Sequence, residues 1–368
     1  MRRSTSIGVL ELVVITALVV GFAAPILLPQ EPAAPAKIPV VATLPYLGEI
    51  VERVGGDFVT VSVLAKPGQD PHFIEPTPEN IVRVSKARLF VENGMQLEGW
   101  STSLLQNAGN AELMPGQRGH CYATNGIVAV EVPDAATLAA GGHVHRAGNP
   151  HVWLDPVNLK IAARNVERSL AVLLHRETAT LAANRIAFEK ELDEATFGKE
   201  LLALIPARRL EELHRQRGLI PFLKSKKYKG KPLAARAGGF LGRALALGDL
   251  KLVTYHRTWS YFESAFGFEV VGTVESKPGV EPSPVHLVRL AELAKEKNAR
   301  IVLSPPYYPS RNVEGAASRI GAAARILPTQ PGESAAAKDL VSMLDAIFDE
   351  IEGAAREVGL IEKAATEK

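Results

Sequence analysis

The sequence predicts an α/β protein of two lobes, each a parallel sheet flanked by helices, joined by a long helix. Three observations predict it. Short apolar runs alternate with helical patterns from Ile38 to Val132, and the same alternation resumes at Leu250. Strands that alternate with helices form parallel sheets with helices on their faces. Between the two series, ETATLAANRIAFEKELDEATFGKELLALI (177–205) holds no proline and no internal turn pair. As one helix it spans about 40 Å at 1.5 Å per residue, enough to bridge two lobes.

The elements follow in order. Arg2 and Arg3 precede an apolar run, GVLELVVITALVVGFAAPILL (8–28), broken only by Glu11 and carrying small residues at Gly21–Ala24. A basic start, an apolar centre and small residues read as a signal peptide. The run is also long enough for an uncleaved membrane anchor. No cysteine lies near its end for a lipid. PQEPAAPAK (29–37) is a Pro/Ala-rich linker, so residues 1–37 are export segment plus linker and the fold begins near Ile38, outside the cytoplasm. IPVVAT (38–43) is a strand candidate and LPYLGEIVERVGG (44–56) a helix ended by Gly55 and Gly56. VTVSVLA (59–65) is a strand, NIVRVSKA (80–87) a helix, RLFVEN (88–93) a strand, LEGWSTSLLQNAG (97–109) a helix and IVAVEV (127–132) a fourth strand.

Residues 133–149 are a loop of small residues. NPHVWLDPVN (149–158) follows, with Asp155 and Pro156 as N-cap and first-turn pair of a helix to about His175. After the bridge at 177–205, residues 206–250 are basic and irregular and include KSKKYKGK (224–231). Then come a strand LKLVTY (250–255), a helix RTWSYFESAF (257–266), a strand FEVVGTV (268–274) and a helix over 283–297 opened by Ser283 and Pro284. A strand RIVLS (300–304), a helix over 313–324 and a terminal helix over about 335–358 complete the chain. The lobes are therefore 38–176 and 206–360.

Composition narrows the function. The chain has 368 residues, 46% hydrophobic and 22% charged, and its 42 basic and 40 acidic side chains nearly cancel. A dedicated nucleic-acid binder shows a strong basic excess, so no nucleic-acid partner is expected. Cys121 is the only cysteine, which excludes an intrachain disulfide and a cysteine-based zinc cluster. A tightly held metal would need His, Asp or Glu.

Three histidines share one setting. His72 follows a strand on a loop stiffened by Pro71, Pro76 and Pro78. His151 follows Pro150 and precedes a helix N-cap, and His256 directly follows LKLVTY. Loops at the carboxyl ends of parallel strands line the ligand crevice. Two histidines from one lobe and one from the other can converge there, and three imidazoles plus an oxygen make an ordinary zinc set. Each histidine taken singly reads first as an exposed or capping residue.

Six stretches, in this order, resemble the zinc/manganese class of substrate-binding proteins of bacterial ABC transporters. They are VVATLPYLGEIVERVGGD (40–57), LAKPGQDPHFIEPTPENI (64–81), ENGMQLEGW (92–100), NPHVWLDPVN (149–158), VTYHRTWSYFESAFGFEVVG (253–272) and PGVEPSPVHLVRL (279–290). The resemblance covers about residues 38–350. It implies two lobes joined by a rigid helix that limits closure, with a metal buried between them on His72, His151 and His256. In that family a histidine at the third position goes with zinc and a glutamate with manganese. His256 therefore leans the reading to Zn²⁺, and ligand softness agrees; Mn²⁺ or Fe²⁺ is the alternative. The implied function is a monomeric, non-enzymatic periplasmic receptor that hands its ion to an inner-membrane ABC permease, tethered if the N-terminal segment stays attached. A zinc hydrolase, which needs an open coordination position and a placed base, and a surface adhesin are readings from other classes. The chain departs from the family at the fourth ligand: after ARILP (324–328) the text is TQPGES, with no Asp and Glu333 as the nearest acid.

Other features have a functional and a plain reading. His143 and His145 resemble the histidine-bearing loop of some zinc-specific members, or are incidental in a linker. His120 beside Cys121 is a soft-metal contact or a chance pair. Asp155 can hold a ligand imidazole from behind or simply cap its helix. Glu75 follows His72 by three, but Pro71 and Pro76 exclude the helical His-Glu motif of zinc proteases. KSKKYKGK reads as a solvated insertion, with acidic lipid or nucleic acid as the sharper alternative. AGGFLG (237–242) lacks the Lys-Ser/Thr ending of a phosphate loop. Trp153, Trp259 and Tyr261 are expected to wall the site.

Overall fold

Two four-stranded sheets carry the fold. In the first, β1 (Ile38–Ala42), β2 (Val59–Val63), β3 (Leu89–Glu92) and β4 (His120–Tyr122) lie in the order β2-β1-β3-β4. A small hairpin, β5 (Lys227–Tyr228) with β6 (Lys231–Pro232), stands apart. In the second sheet β7 (Lys251–Thr254), β8 (Glu269–Thr273), β9 (Ile301–Ser304) and β10 (Ala323–Ile326) lie in the order β8-β7-β9-β10. Every pairing in both four-stranded sheets is parallel. The two topologies are the same, with the first strand of each sheet flanked by its second and third. That places a switch of direction, and hence a crevice, at the carboxyl ends of β1 and β7. The computed structural model describes residues 36–135, 145–276 and 279–362. The chain divides into Met1–Ala36 and Lys37–Lys368, and this fold is that of the second unit. The expected export segment lies outside the described residues, among which no helix is long and apolar enough to cross a membrane.

The helices are α1 (Pro45–Gly55), α2 (Pro78–Lys86), α3 (Ser101–Ala108), α4 (Pro156–Leu173), α5 (Thr178–Phe197), α6 (Lys199–Leu204), α7 (Ala207–Arg215), α8 (Leu219–Ser225), α9 (Gly239–Leu247), α10 (Ser260–Phe266), α11 (Pro284–Glu296), α12 (Ser310–Ile320) and α13 (Leu340–Glu357). Three start alike. Thr77, Asp155 and Ser283 each accept a backbone N–H of the first turn and are followed by proline. The cap satisfies an orphan donor, and proline lacks the N–H that would need one. One buried core joins Val40 and Leu89 of the first sheet, Leu252 and Ile301 of the second, and Phe348 of α13. Behind it, the Lys160 ammonium sits between Asp193 at 2.7 Å and Glu211 at 3.1 Å, which staples α4 to α5 and α7 through a paired buried charge.

The structure departs from expectation in four places; the simplest is that the helix expected over 313–324 stops at Ile320, where Gly321 takes a φ of +74°, and Ala323 begins β10. The fourth strand is β4, not 127–132. Val128 and Val132 are exposed, Glu131 has a φ of +50°, and the Val130 carbonyl accepts the Asn149 N–H at 2.9 Å. That backbone serves the 149–151 turn instead of a sheet. The stretch 177–205 is two helices. Gly198, with a φ of +74°, lies against Gly238, where an added Cβ would come within 2.6 Å of the Gly238 Cα. Helix α5 alone therefore spans about 30 Å. Residues 206–250 are largely helical, and AGGFLG opens α9, with Gly239 tight against the Ala195 carbonyl.

Candidate metal centre

His72 and His151 are placed by the same three-residue device. In Asp70-Pro71-His72 the Asp70 Oδ1 accepts the His72 backbone N–H at 3.0 Å and its ring Nδ1–H at 2.7 Å. In Asn149-Pro150-His151 the Asn149 Oδ1 accepts the same two groups of His151, both at 2.9 Å. An Asx side chain that bonds the backbone two residues on closes a local turn, and here it also clamps the ring. The proline carbonyls are used too: Pro71 accepts Trp100 Nε1–H at 3.0 Å, and Pro150 accepts Asn93 Nδ2–H at 3.1 Å. The Asn149 amide is oriented by three acceptors on its Nδ2, namely Glu131, the Arg257 carbonyl and Ser260, so its oxygen faces His151.

His256 is placed differently. It follows β7, and its Nδ1–H donates to Glu275 Oε2 at 2.8 Å. Glu275 lies just past β8, where its own N–H reaches the Tyr255 carbonyl at 2.9 Å and continues the sheet ladder. Tyr308 O–H donates to the same carboxylate oxygen at 3.1 Å. All three imidazoles therefore carry the proton on Nδ1, because each faces an oxygen that can only accept. The lone pair of each neutral ring is then on Nε2.

The three rings converge. The ring centroids are 5.1 Å (His72–His151), 5.6 Å (His72–His256) and 5.3 Å (His151–His256) apart. The three buried residues offer ligand atoms that all lie within 4.8 Å of one another. His151 Nε2 is buried and has no hydrogen-bond partner among the described residues. Burial, then the neighbouring imidazoles of His72, His256 and His145, push His151 well below the usual histidine pKa, so it is neutral, as a metal ligand must be. Burial alone would raise the Asp70 carboxyl, but hydrogen bonds from His72 and its nearby ring outweigh it and hold Asp70 below the carboxylate range. A cavity of about 290 Å³, lined by Asp70, His72, His256, Glu275 and Tyr308 among others, leads to the group. A roomier cavity of about 810 Å³ lies elsewhere, beside Lys160 and Arg164, whose charges are met by Asp193, Glu189 and Glu211.

The remaining candidates divide. His145 stands beside the group, its ring 5.2 Å from His72 and its Nδ1 3.1 Å from the Gln96 carbonyl; His143 lies outside the described residues. Trp153 packs 5.4 Å from His151 and donates to the Thr329 carbonyl at 2.6 Å. Tyr261 donates to the Asn149 carbonyl, whereas Trp259 faces Phe262. Asp155 caps α4 and binds His214 at 2.9 Å, while the three candidate rings are held at Nδ1 by Asp70, Asn149 and Glu275. His120 Nε2 lies 3.1 Å from Glu92 without hydrogen-bond geometry, and burial pushes the Cys121 thiol up to about 11, so the thiol is not poised for a soft metal. Glu75 is exposed.

Glu333 is occupied. Its carboxylate accepts the N–H groups of Thr329, Gln330 at 3.0 Å and Gly68 at 3.1 Å. It straps the His72 loop to the segment after β10. Glu333→Gln is expected to leave Zn²⁺ affinity unchanged while removing about 1–3 kcal/mol of stability, because an amide presents donors to backbone donors. Metal titration beside urea unfolding of the metal-free protein checks both halves. The oxygens behind the rings, Asp70, Asn149 and Glu275, are what sequence reasoning missed. The shared Asx-Pro-His pattern signals the first two; nothing local signals Glu275.

Known proteins resemble the chain in sequence and in fold. The sequence model of the family described as zinc-uptake complex component A, periplasmic, matches residues 40–210 and 243–354. The high-affinity zinc uptake system protein ZnuA of Bacillus subtilis (strain 168) is 26% identical over 309 residues, covering 82% of this chain and 82% of that protein. The manganese ABC transporter substrate-binding lipoprotein PsaA of Streptococcus pneumoniae is 29% identical over 164 residues, 44% of this chain and 47% of that one. Among solved structures, a zinc-bound ZnuA deletion mutant superposes with a TM-score of 0.63 at 24% identity, covering 86% of this chain and 98% of that chain. That likeness shows the shared fold.

Proposed function

Because the chain belongs to the periplasmic zinc-uptake component A family, we propose that it captures Zn²⁺ on His72, His151 and His256 and delivers it to the permease of an ABC importer. The observation that supports the ligand set is the convergence of three buried imidazoles, each held at Nδ1 by a side-chain oxygen. A ring so held presents Nε2 as a more basic, pre-oriented ligand. Neutral nitrogen donors suit zinc better than manganese, which favours carboxylate and water.

The activity is binding and release, with no bond made or broken. A zinc hydrolase needs a carboxylate aimed at metal-bound water. The two carboxylates beside the rings, Asp70 and Glu275, are instead spent on Nδ1–H groups. The apolar run at 8–28 serves export, and the lobes present the ion between them.

A competition titration tests the reading. The purified protein is expected to take up one Zn²⁺ per chain and to prefer it to Mn²⁺ by at least about a hundredfold, the order that nitrogen-rich sites follow. Equal or tighter binding of Mn²⁺ would move the assignment to the manganese branch of the same fold, to which PsaA belongs by name.

A further inference from the structure

The family match skips residues 211–242, and that stretch holds a dense block of positive charge. KSKKYKGK (224–231) has five lysines, no arginine and no acid. The hairpin is preset. Lys227 pairs with Pro232 and Tyr228 with Lys231 across a turn in which Lys229 (φ +49°) and Gly230 (φ +81°) are both left-handed, the requirement of a tight type I′ turn. Its root is anchored, because Leu223 and Leu233 on either side are buried in a cluster with Leu210 and Leu219. All five lysines are exposed. Lys224 lies 3.9 Å from Asp249, and among the described residues Lys226, Lys227, Lys229 and Lys231 form no ion pair. Tyr228 is exposed between them, with the Lys229 ammonium 5.4 Å from its ring centre.

We propose that this hairpin docks the protein on the anionic headgroups of the membrane that holds its permease. Protein interfaces are depleted in lysine and enriched in arginine; this segment has the reverse bias. Clusters of four to eight basic residues bind anionic lipid through summed, non-specific attraction, and tyrosine favours the headgroup zone. Two-residue strands offer no groove with which to read the shape of a protein partner. The surface is separate from the imidazole cluster and does not depend on which metal is carried.

The test uses the Lys37–Lys368 unit, free of the apolar N-terminal run, and phosphatidylcholine vesicles with or without a third of phosphatidylglycerol. The expected result is co-sedimentation at least about a hundredfold stronger on the anionic vesicles, lost at high salt. Joint replacement Lys226→Gln, Lys227→Gln and Lys231→Gln should weaken it by about a hundredfold, about fivefold per lysine. Unchanged Zn²⁺ affinity of that variant shows that it is folded and that the metal reading is untouched. Equal binding to neutral and anionic vesicles, or a variant that binds like the parent, overturns the proposal. So does a variant that loses only capture by permease in phosphatidylcholine nanodiscs, which would assign the hairpin to a protein contact.

Discussion

Replacing His151 with alanine is expected to lower Zn²⁺ affinity by about two to three orders of magnitude. Apparent zinc-binding free energies of about 10–16 kcal/mol shared over four positions give about 2.5–4 kcal/mol per ligand, a factor of about 10² to 10³. His151 is the sharpest place to look. It is 2% exposed, its Nε2 has no partner among the described residues, and its environment already keeps it neutral. The substitution should spare the fold, because the Asn149 side chain still accepts the backbone N–H at position 151, so the metal-free melting curve serves as a control. Chelator competition reads the affinity. An unchanged melting curve together with parental affinity would remove the imidazole cluster as the zinc site.

How far the sequence foretells this site follows from where each determinant lies in the chain. The three candidate histidines are legible because each sits beside a local punctuation mark: Pro71 and Pro150 before two of them, the end of β7 before the third. The alternation of apolar runs and helices likewise announces parallel sheets. What stays hidden depends on partners distant in sequence. Gly198 reads as an ordinary helical glycine until Gly238 is brought against it. IVAVEV has the composition of a strand, but the partner strand β3 is taken by the shorter His120–Tyr122, and the backbone at Val130 is claimed by Asn149 and Tyr261. Glu333 stands where a fourth ligand is expected, yet three backbone donors hold its carboxylate. The identity of sheet order in the two lobes also leaves no trace as a short repeat, because topology can be shared without shared residues.

Glu275 is the determinant most deeply hidden, 19 residues from the histidine it holds, and Glu275→Ala is expected to cost about 10–100-fold in Zn²⁺ affinity, the usual loss for the group behind a ligand imidazole. Two effects add. Removing the carboxylate leaves the His256 Nδ1–H and the Tyr308 O–H without their buried acceptor, so the ring is free to turn its Nε2 from the other two. It also removes the negative charge that makes the imidazole a stronger donor to a cation. Glu275→Gln separates them, because the amide oxygen still accepts from Nδ1–H but brings no charge. Gln near the parental affinity with Ala much weaker would make the role one of orientation; comparable losses in both would make it one of charge. Parental affinity in the Ala variant would mean that β7 alone aims His256, and the ladder bond from the Glu275 N–H to Tyr255 would then be only a feature of the sheet.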